Sequence, residues 1–173
     1  MAGSLIKIDE EIVTSAVASV TLTGIDSTYD VYMVACNNIF FDTNDDMRIR
    51  FTVSGSADTS ANYDYAHKAM YADTAFGNTG ITNATSLDTN QSTGTSSNFQ
   101  INTIMYLFNF NNASEYSFVT YENANRNTTQ SRTGLFAGGG VLTVAQATDG
   151  VTFFLSSSAN IAGGTFTLYG LKK

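Results

Sequence analysis

The best candidate for a bound cation is an acidic stretch early in the chain. Asp42, Asn44, Asp45 and Asp46 place four oxygen-bearing side chains within five residues, and carboxylate and amide oxygens are the ligands that Ca²⁺ prefers. The stretch lacks the Asp-x-Asp-x-Asp-Gly order and the distal Glu of an EF-hand loop. A solvated acidic turn is the competing interpretation. We expect no resident metal or cofactor, and these four residues are the one candidate cation loop.

The sequence contains few residues that could serve as a catalytic nucleophile or as a general acid or base. His67 is the only histidine and Cys36 the only cysteine, so a cysteine nucleophile with a histidine base would need both of them. We interpret Cys36 as a buried, inert thiol. His67 fits an ordinary surface or hydrogen-bonded side chain, with a pH-sensitive interface contact as the alternative. The glycines at 138–140 precede a strand-like segment rather than a helix, so they predict a flexible turn and not a phosphate-binding loop. The sequence therefore predicts that the protein is not an enzyme.

Composition narrows the class of protein further. The chain has 173 residues, of which 43% are hydrophobic and only 13% charged, and its net charge is −7. The polar surface must come from its 24 Thr, 17 Ser and 16 Asn residues, which favour strands and turns. A surface of this sign repels nucleic acid and anionic membranes, and no apolar run approaches the roughly 20 residues of a membrane helix. We expect an all-β domain without nucleic-acid or membrane partners.

Alternation of polar and apolar residues predicts about eight strands. The clearest case is 47–53, where every second residue from Met47 to Val53 is apolar, the pattern of a half-buried strand. Residues 63–70 fit either a strand or a short helix. The first two predicted strands are expected to form a hairpin. We interpret residues 1–173 as a single-domain, jelly-roll-like β-sandwich. The predicted strands are 19–23, 29–35, 47–53, 99–108, 116–121, 141–145, 151–155 and 165–171.

Two segments are expected to extend from this sandwich. Residues 1–17 include an apolar run, Leu5, Ile6 and Ile8, which could serve as an N-terminal docking arm or form the first edge strand. Residues 73–98 are rich in Thr, Ser, Asn and Gly, and loops of this length usually carry a function or cross between sheets. We predict a long, exposed, partner-facing excursion at 73–98, with room for a short strand inside it.

Three stretches of the chain carry a recognisable pattern. They are LTGIDSTYDVYMV at 22–34, YLFNFNNASEYSFVTYE at 106–122 and GGGVLTVAQATDGVTFFLSSSANIAGGTFTLYGLKK at 138–173. They resemble small virion proteins of tailed bacteriophages, especially marine and cyanobacterial ones. The stretches cover somewhat over a third of the chain, and the closing Asn-Ile-Ala-x-Gly-Thr-Phe-x-Leu-Tyr-Gly-Leu-Lys is the most specific of them.

The resemblance implies a virion structural protein that is assembled in the host cytoplasm and brings no catalytic residues with it. The first hypothesis is a head decoration or cement protein that contacts itself, as a homotrimer, and the major capsid protein or other virion proteins. The alternative is a tail-fibre or tail-tip component whose exposed aromatic side chains stack on host-surface carbohydrate. For those aromatics, packing in the core is the competing interpretation. The candidate interface residues are Leu5, Ile6, Ile8, Tyr63, Tyr65, Tyr71 and Phe76.

Overall fold

The protein forms strands and no helix over the part of the chain that its computed structural model describes, residues 4–89, 94–96, 98–126 and 132–171. These residues therefore contain no helix that could span a membrane. The prediction of an all-β fold is confirmed. The strands are β1 (Leu5–Val13), β2 (Ser19–Thr23), β3 (Val31–Phe41), β4 (Met47–Val53), β5 (Ser56–Ala57), β6 (Tyr63–Tyr71), β7 (Phe76–Ala84), β8 (Leu87–Asp88), β9 (Ile101–Phe108), β10 (Ser117–Arg126), β11 (Thr133–Leu142), β12 (Gly150–Leu155) and β13 (Ile161–Leu171).

Two sheets pack face to face. The large sheet has the strand order β1-β13-β3-β9-β10-β11-β6-β7, and the small sheet has the order β2-β12-β4-β5, with β8 also pairing with β4. All of these pairings are antiparallel. The last strand, β13, lies between β1 and β3 and is hydrogen-bonded on both edges. The β-sandwich is confirmed, and the jelly-roll pattern of connections stays a prediction.

The core lies between the sheets and is built from alternate residues of each strand. In β4, Met47, Ile49 and Phe51 are completely buried, while the residues between them point away from the core or lie at its margin. Phe153 of β12 and Phe166 of β13 meet across the two sheets with their ring centroids 4.9 Å apart. Burying each such side chain contributes about 1.5–3 kcal/mol. The period-two pattern in the sequence thus selects the face of each strand that packs inward.

The structure has thirteen strands, rather than about eight, over its described residues. All eight predicted segments contribute residues to strands. Residues 63–70, which fitted a strand or a helix, lie in β6, and their alternate residues are buried as in a strand. The N-terminal run forms β1. Alternation is weak in the short strands β5 and β8 and in the polar edge strand β7, and within 73–98 the sequence indicates only one short strand.

Two local predictions are wrong. β2 and β3 do not form a hairpin, because β2 pairs with β12 in the small sheet and β3 lies between β13 and β9 in the large one. The glycines predicted as a turn lie in the middle of β11. A Cβ on Gly138 would lie 2.5 Å from the carbonyl oxygen of Ala66, and one on Gly140 would lie 2.5 Å from Leu87 Cδ2. Glycine is needed there because neighbouring atoms fill the space of a side chain.

The segment 73–98 is a paired edge strand followed by an anchored stretch. Most residues of β7 are exposed on the edge of the large sheet, as expected for an excursion. Leu87, by contrast, is completely buried, and the Thr89 hydroxyl donates a hydrogen bond to the Met47 carbonyl (2.9 Å). Residues 90–93 and 97 lie outside the described residues. The described part of this segment is therefore fastened to the sandwich at its centre.

Candidate functional site: the outer face of the large sheet

Two carboxylates of the candidate cation loop, those of Asp42 and Asp45, point at a neighbouring loop. Asp45 accepts hydrogen bonds from the Ser156 hydroxyl and from the N–H (3.0 Å) and hydroxyl (2.6 Å) of Ser157. Burial raises the pKa of Asp45, but these donors outweigh it and hold the pKa below its usual value. Asp42 accepts two hydrogen bonds from Asn160, each 2.8 Å long. No cluster of three or more His, Cys, Asp or Glu side chains suited to a metal occurs among the described residues. Asp42 and Asp45 thus tie their loop to residues 156–160, and the cation loop stays a prediction.

His67 belongs to a buried polar cluster that joins β6, β10 and β8. Its Nδ1 lies 3.1 Å from the Tyr121 hydroxyl, which donates to the Asp88 carbonyl (2.7 Å). The Tyr65 hydroxyl donates to the Asp88 carboxylate (2.9 Å), and Arg48 pairs with the same carboxylate (2.7 Å). Burial lowers the pKa of His67, so the imidazole is neutral at pH 7. The interpretation of His67 as a hydrogen-bonded side chain is confirmed, and its neighbours use their polar atoms to hold the strands together.

Cys36 is buried in β3 on the side that faces the core. Burial raises the pKa of its thiol, because the apolar surroundings disfavour the thiolate. The thiolate is the nucleophilic form of cysteine. The predicted burial of this thiol is therefore confirmed, and its raised pKa supports the interpretation that it is inert.

The four aromatic candidates do not form one surface. Tyr63 is completely buried and Tyr65 is 9% exposed, so the prediction that they are exposed for stacking or contact is wrong. Their hydroxyls satisfy hydrogen bonds inside the sandwich. Tyr71 is half-buried beneath the Arg132 guanidinium, whose carbon lies 3.5 Å from the ring centroid. Only Phe76, at 67% exposure, keeps its predicted place at the surface.

The N-terminal candidates lie on an edge strand. In β1, Leu5 and Ile6 pair with the end of β13 and remain 49% and 39% exposed, whereas Ile8 packs against the core. Four charged residues between Lys7 and Glu11 and a register shift interrupt this edge. Charges and bulges on an edge strand oppose the addition of further strands. Of the two readings of residues 1–17, the edge strand holds for the described residues 4–17.

Exposed apolar side chains lie on the solvent side of each of the five strands β9, β10, β11, β6 and β7, which we call the outer face. The residues of these strands alternate, so that one set points into the sandwich and the other to solvent. Apolar side chains grouped on one surface of a soluble protein mark a contact site for another protein. The large apolar side chains of the outer face, each at least 37% exposed, are Ile104, Tyr106, Phe118, Leu135, Met70 and Phe76.

The centre of the outer face is flat and shallow. Between Leu135 and Val141, its middle strand β11 presents only the small residues Ala137 and Gly139. Shallow depressions flank β10, and one is lined by Ile104, Tyr106 and Glu122. Among the described residues, no second carboxylate lines either depression on this face, and glycoside hydrolysis requires two. The shape therefore suits a broad protein contact better than a small substrate.

Two opposite charges stand on either side of the middle strand. Glu122 of β10 pairs in register with Ala137 of β11, which in turn pairs with Lys68 of β6. Neither charge forms an ion pair among the residues that the structure describes. The Lys68 ammonium lies 5.4 Å from the centroid of the Phe76 ring. The two charges are thus available to a partner on this face.

The outer face was not among the sequence predictions, although the sequence carries a signal for it. In β9, the exposed Ile104 and Tyr106 alternate with the buried Met105 and Leu107, so both faces of the strand are apolar. A strand of a sandwich needs only one apolar face, and a second one indicates a further contact. Comparison of the chain with protein-family models, curated proteins and solved structures finds no match.

Proposed function

We propose that the protein is a structural subunit of a bacteriophage virion, a decoration or cement protein that stabilises the head by subunit contacts. The observation that carries this proposal is the outer face, where exposed apolar side chains cover five adjacent strands. The resemblance of three stretches to phage virion proteins is the reason for proposing a phage particle as the assembly. It also makes the major capsid protein the expected partner.

The arrangement of the polar side chains supports a structural role. Asp42, Asp45 and Asp88 accept hydrogen bonds that fasten loops and strands, and His67 is neutral and buried. General acid–base catalysis needs a titratable side chain within reach of a substrate. These groups instead form hydrogen bonds with neighbours inside the molecule. Their polar atoms therefore stabilise the fold.

Two of the four aromatic side chains that the carbohydrate-binding alternative requires at the surface are buried in the core. Tyr63 and Tyr65 cannot stack on a sugar ring while they lie between the sheets. Tyr71 is covered on one side by Arg132. Phe76 alone does not make a binding platform, and no further observation favours this function.

Quantitative mass spectrometry of purified particles of the phage that encodes this sequence tests the proposal. We expect the chain at a copy number comparable with that of the major capsid protein. A few copies per particle would indicate a tail protein instead of a head protein. Absence of the chain from the particle would overturn the proposal.

A variant can test whether the outer face makes the contact. We expect Leu135→Glu, at 48% exposure on the middle strand of the outer face, to reduce the amount of the chain retained on heads, because it weakens a contact between subunits. Ile12→Glu is the matched control, because Ile12 is an apolar residue at 62% exposure on β1, at the opposite edge of the same sheet. Equal loss of binding in both variants, measured by co-sedimentation, would count against the outer face.

A further inference from the structure

We infer that the outer face binds the outer face of a second copy of this chain, related by a two-fold axis that runs along β11. The inference deepens the proposed structural role and rests on it, since it names the partner of the same surface. A two-fold contact brings one patch against itself, so each feature of the patch must find its complement on the same patch. The outer face can be examined for that property strand by strand.

The strand order is balanced about β11. The outer face consists of β9, β10, β11, β6 and β7 in that spatial order, so β11 has two strands on each side. A rotation of 180° about β11 places β10 of one copy over β6 of the other, and β9 over β7. All five strands of each copy then face a strand of its partner.

Large side chains face small ones in this arrangement. Tyr106, Thr120, Gly139, Ala66 and Gly80 form one row across the five strands. The rotation sets Tyr106 against Gly80 of the second copy and Thr120 against Ala66. Gly139 faces its own counterpart, so no side chain separates the two β11 strands at this point.

A second row combines three kinds of contact. Its members, in register on β9, β10, β11, β6 and β7, are Asn102, Ala124, Leu135, Met70 and Phe76. The rotation sets the small Ala124 against the large Met70, Phe76 against Asn102, and Leu135 against Leu135 of the second copy. Interdigitation of large and small side chains is what allows two sheet faces to pack densely.

The row between these two carries the charges. Glu122 and Lys68 lie at equal distances on either side of Ala137, so the rotation places each of them opposite the other on the second copy. The dimer therefore gains two ion pairs that do not exist within one copy. Complementary charges at an interface fix its register and disfavour other partners.

The contact ends one row further along the strands. There Phe118, Val141 and Asp64 are in register, and the rotation would set Phe118 against the Asp64 carboxylate. Burying that carboxylate against an aromatic ring is unfavourable. The paired area is therefore limited to the three rows described above and their margins.

The area of the patch is that of a reversible dimer. Five strands about 4.8 Å apart and about seven residues long cover about 24 Å by 24 Å, or roughly 600 Å² for each copy. The total of about 1,200 Å² lies at the low end for specific protein interfaces. We therefore expect dimers that dissociate on dilution, in place of the trimers that the resemblance implies.

Sedimentation velocity over a range of concentrations tests the inference. The native chain should sediment as a concentration-dependent dimer. Glu122→Lys and Lys68→Glu each bring like charges together at both ion pairs, and each should weaken self-association at least about tenfold. Glu115→Lys makes the same change of charge on an exposed loop residue and should leave the dimer unchanged. Circular dichroism checks that all variants remain folded.

Mixing the variants gives the sharper measurement. A copy with Glu122→Lys and a copy with Lys68→Glu regain both ion pairs when they face each other, so an equimolar mixture should form dimers although each variant alone does not. The double variant Glu122→Lys/Lys68→Glu should also dimerise. A monomer at all concentrations, a trimer, or a mixture that stays monomeric would overturn the inference. The copy number in purified particles is a separate measurement, so the proposed function can stand if the dimer fails.

Discussion

Replacing one core phenylalanine should show how strongly the two sheets depend on each other. Phe153 in β12 is completely buried, and its ring meets that of Phe166 across the interior with 4.9 Å between centroids. Phe153→Ala removes the ring from the middle of the core. The backbone is unaffected, since alanine is accepted in a strand.

The magnitude follows from burial. A Phe→Ala change at a fully buried position costs about 3–5 kcal/mol of unfolding free energy, because contacts are lost and a cavity remains. For a chain of this length, each kcal/mol shifts the melting temperature by about 2–4 °C. We therefore expect Phe153→Ala to lower the melting temperature by about 6–20 °C.

The next residue supplies the control. Phe154 lies on the other face of β12, is half-buried, and its ring centroid lies 4.4 Å from the Arg50 guanidinium carbon. A cation–π contact of this kind contributes about 0.5–1 kcal/mol, so Phe154→Ala should cost much less than Phe153→Ala. Urea titration and calorimetry of both variants measure the difference. Equal losses at the two positions would refute the assignment of inner and outer faces.

Three further predictions concern single positions. His67 is the only histidine, and it should make the free energy of unfolding fall as the pH drops below about 6.5. The reason is that the unfolded imidazole takes up a proton there while the buried one resists it. In His67→Gln, the midpoint of urea unfolding should depend less on pH in this range. Gly140→Ala should lower stability by about 1–3 kcal/mol, because its Cβ would meet Leu87, whereas Gly80→Ala, with no atom nearer than 3.9 Å, should be tolerated in calorimetry. Asp45→Asn should destabilise the protein at pH 7, and the deficit should shrink as the pH falls below about 4, because the unfolded carboxyl takes up a proton there while the native one, whose pKa is lowered, resists it; equal deficits at pH 7 and pH 3 would contradict this.

Alternation in the sequence predicts the layers well where one face of a strand is wet. Residues 47–53 and 165–171 lie in β4 and β13 with the expected residues inward. Residues 63–70 show the limit, since their spacing fits two structures until the neighbours β11 and β7 are known. The local sequence pattern predicts which residues of a strand share the buried face. It does not predict which strands pair with each other.

The wrong predictions concern residues whose structure depends on neighbouring strands rather than on the local sequence. Glycines at 138–140 resemble a turn in isolation, and only the backbone and side chains packed against β11 explain why a strand needs them. Tyr63 and Tyr65 are amphipathic, so their burial depends on hydrogen-bond partners such as Asp88 from a distant part of the chain. The outer face depends on five strands that come together from sequence segments far apart. Its charge pattern can be read only once their register is known.

The most direct test of the central claim is a cryo-EM map of the phage particle at a resolution that shows side chains. We expect the solvent side of β9, β10, β11, β6 and β7 to be buried against protein, with Leu135 and Tyr106 in contact with a neighbouring subunit. A particle in which this face is open to solvent while the chain is held elsewhere would contradict the account.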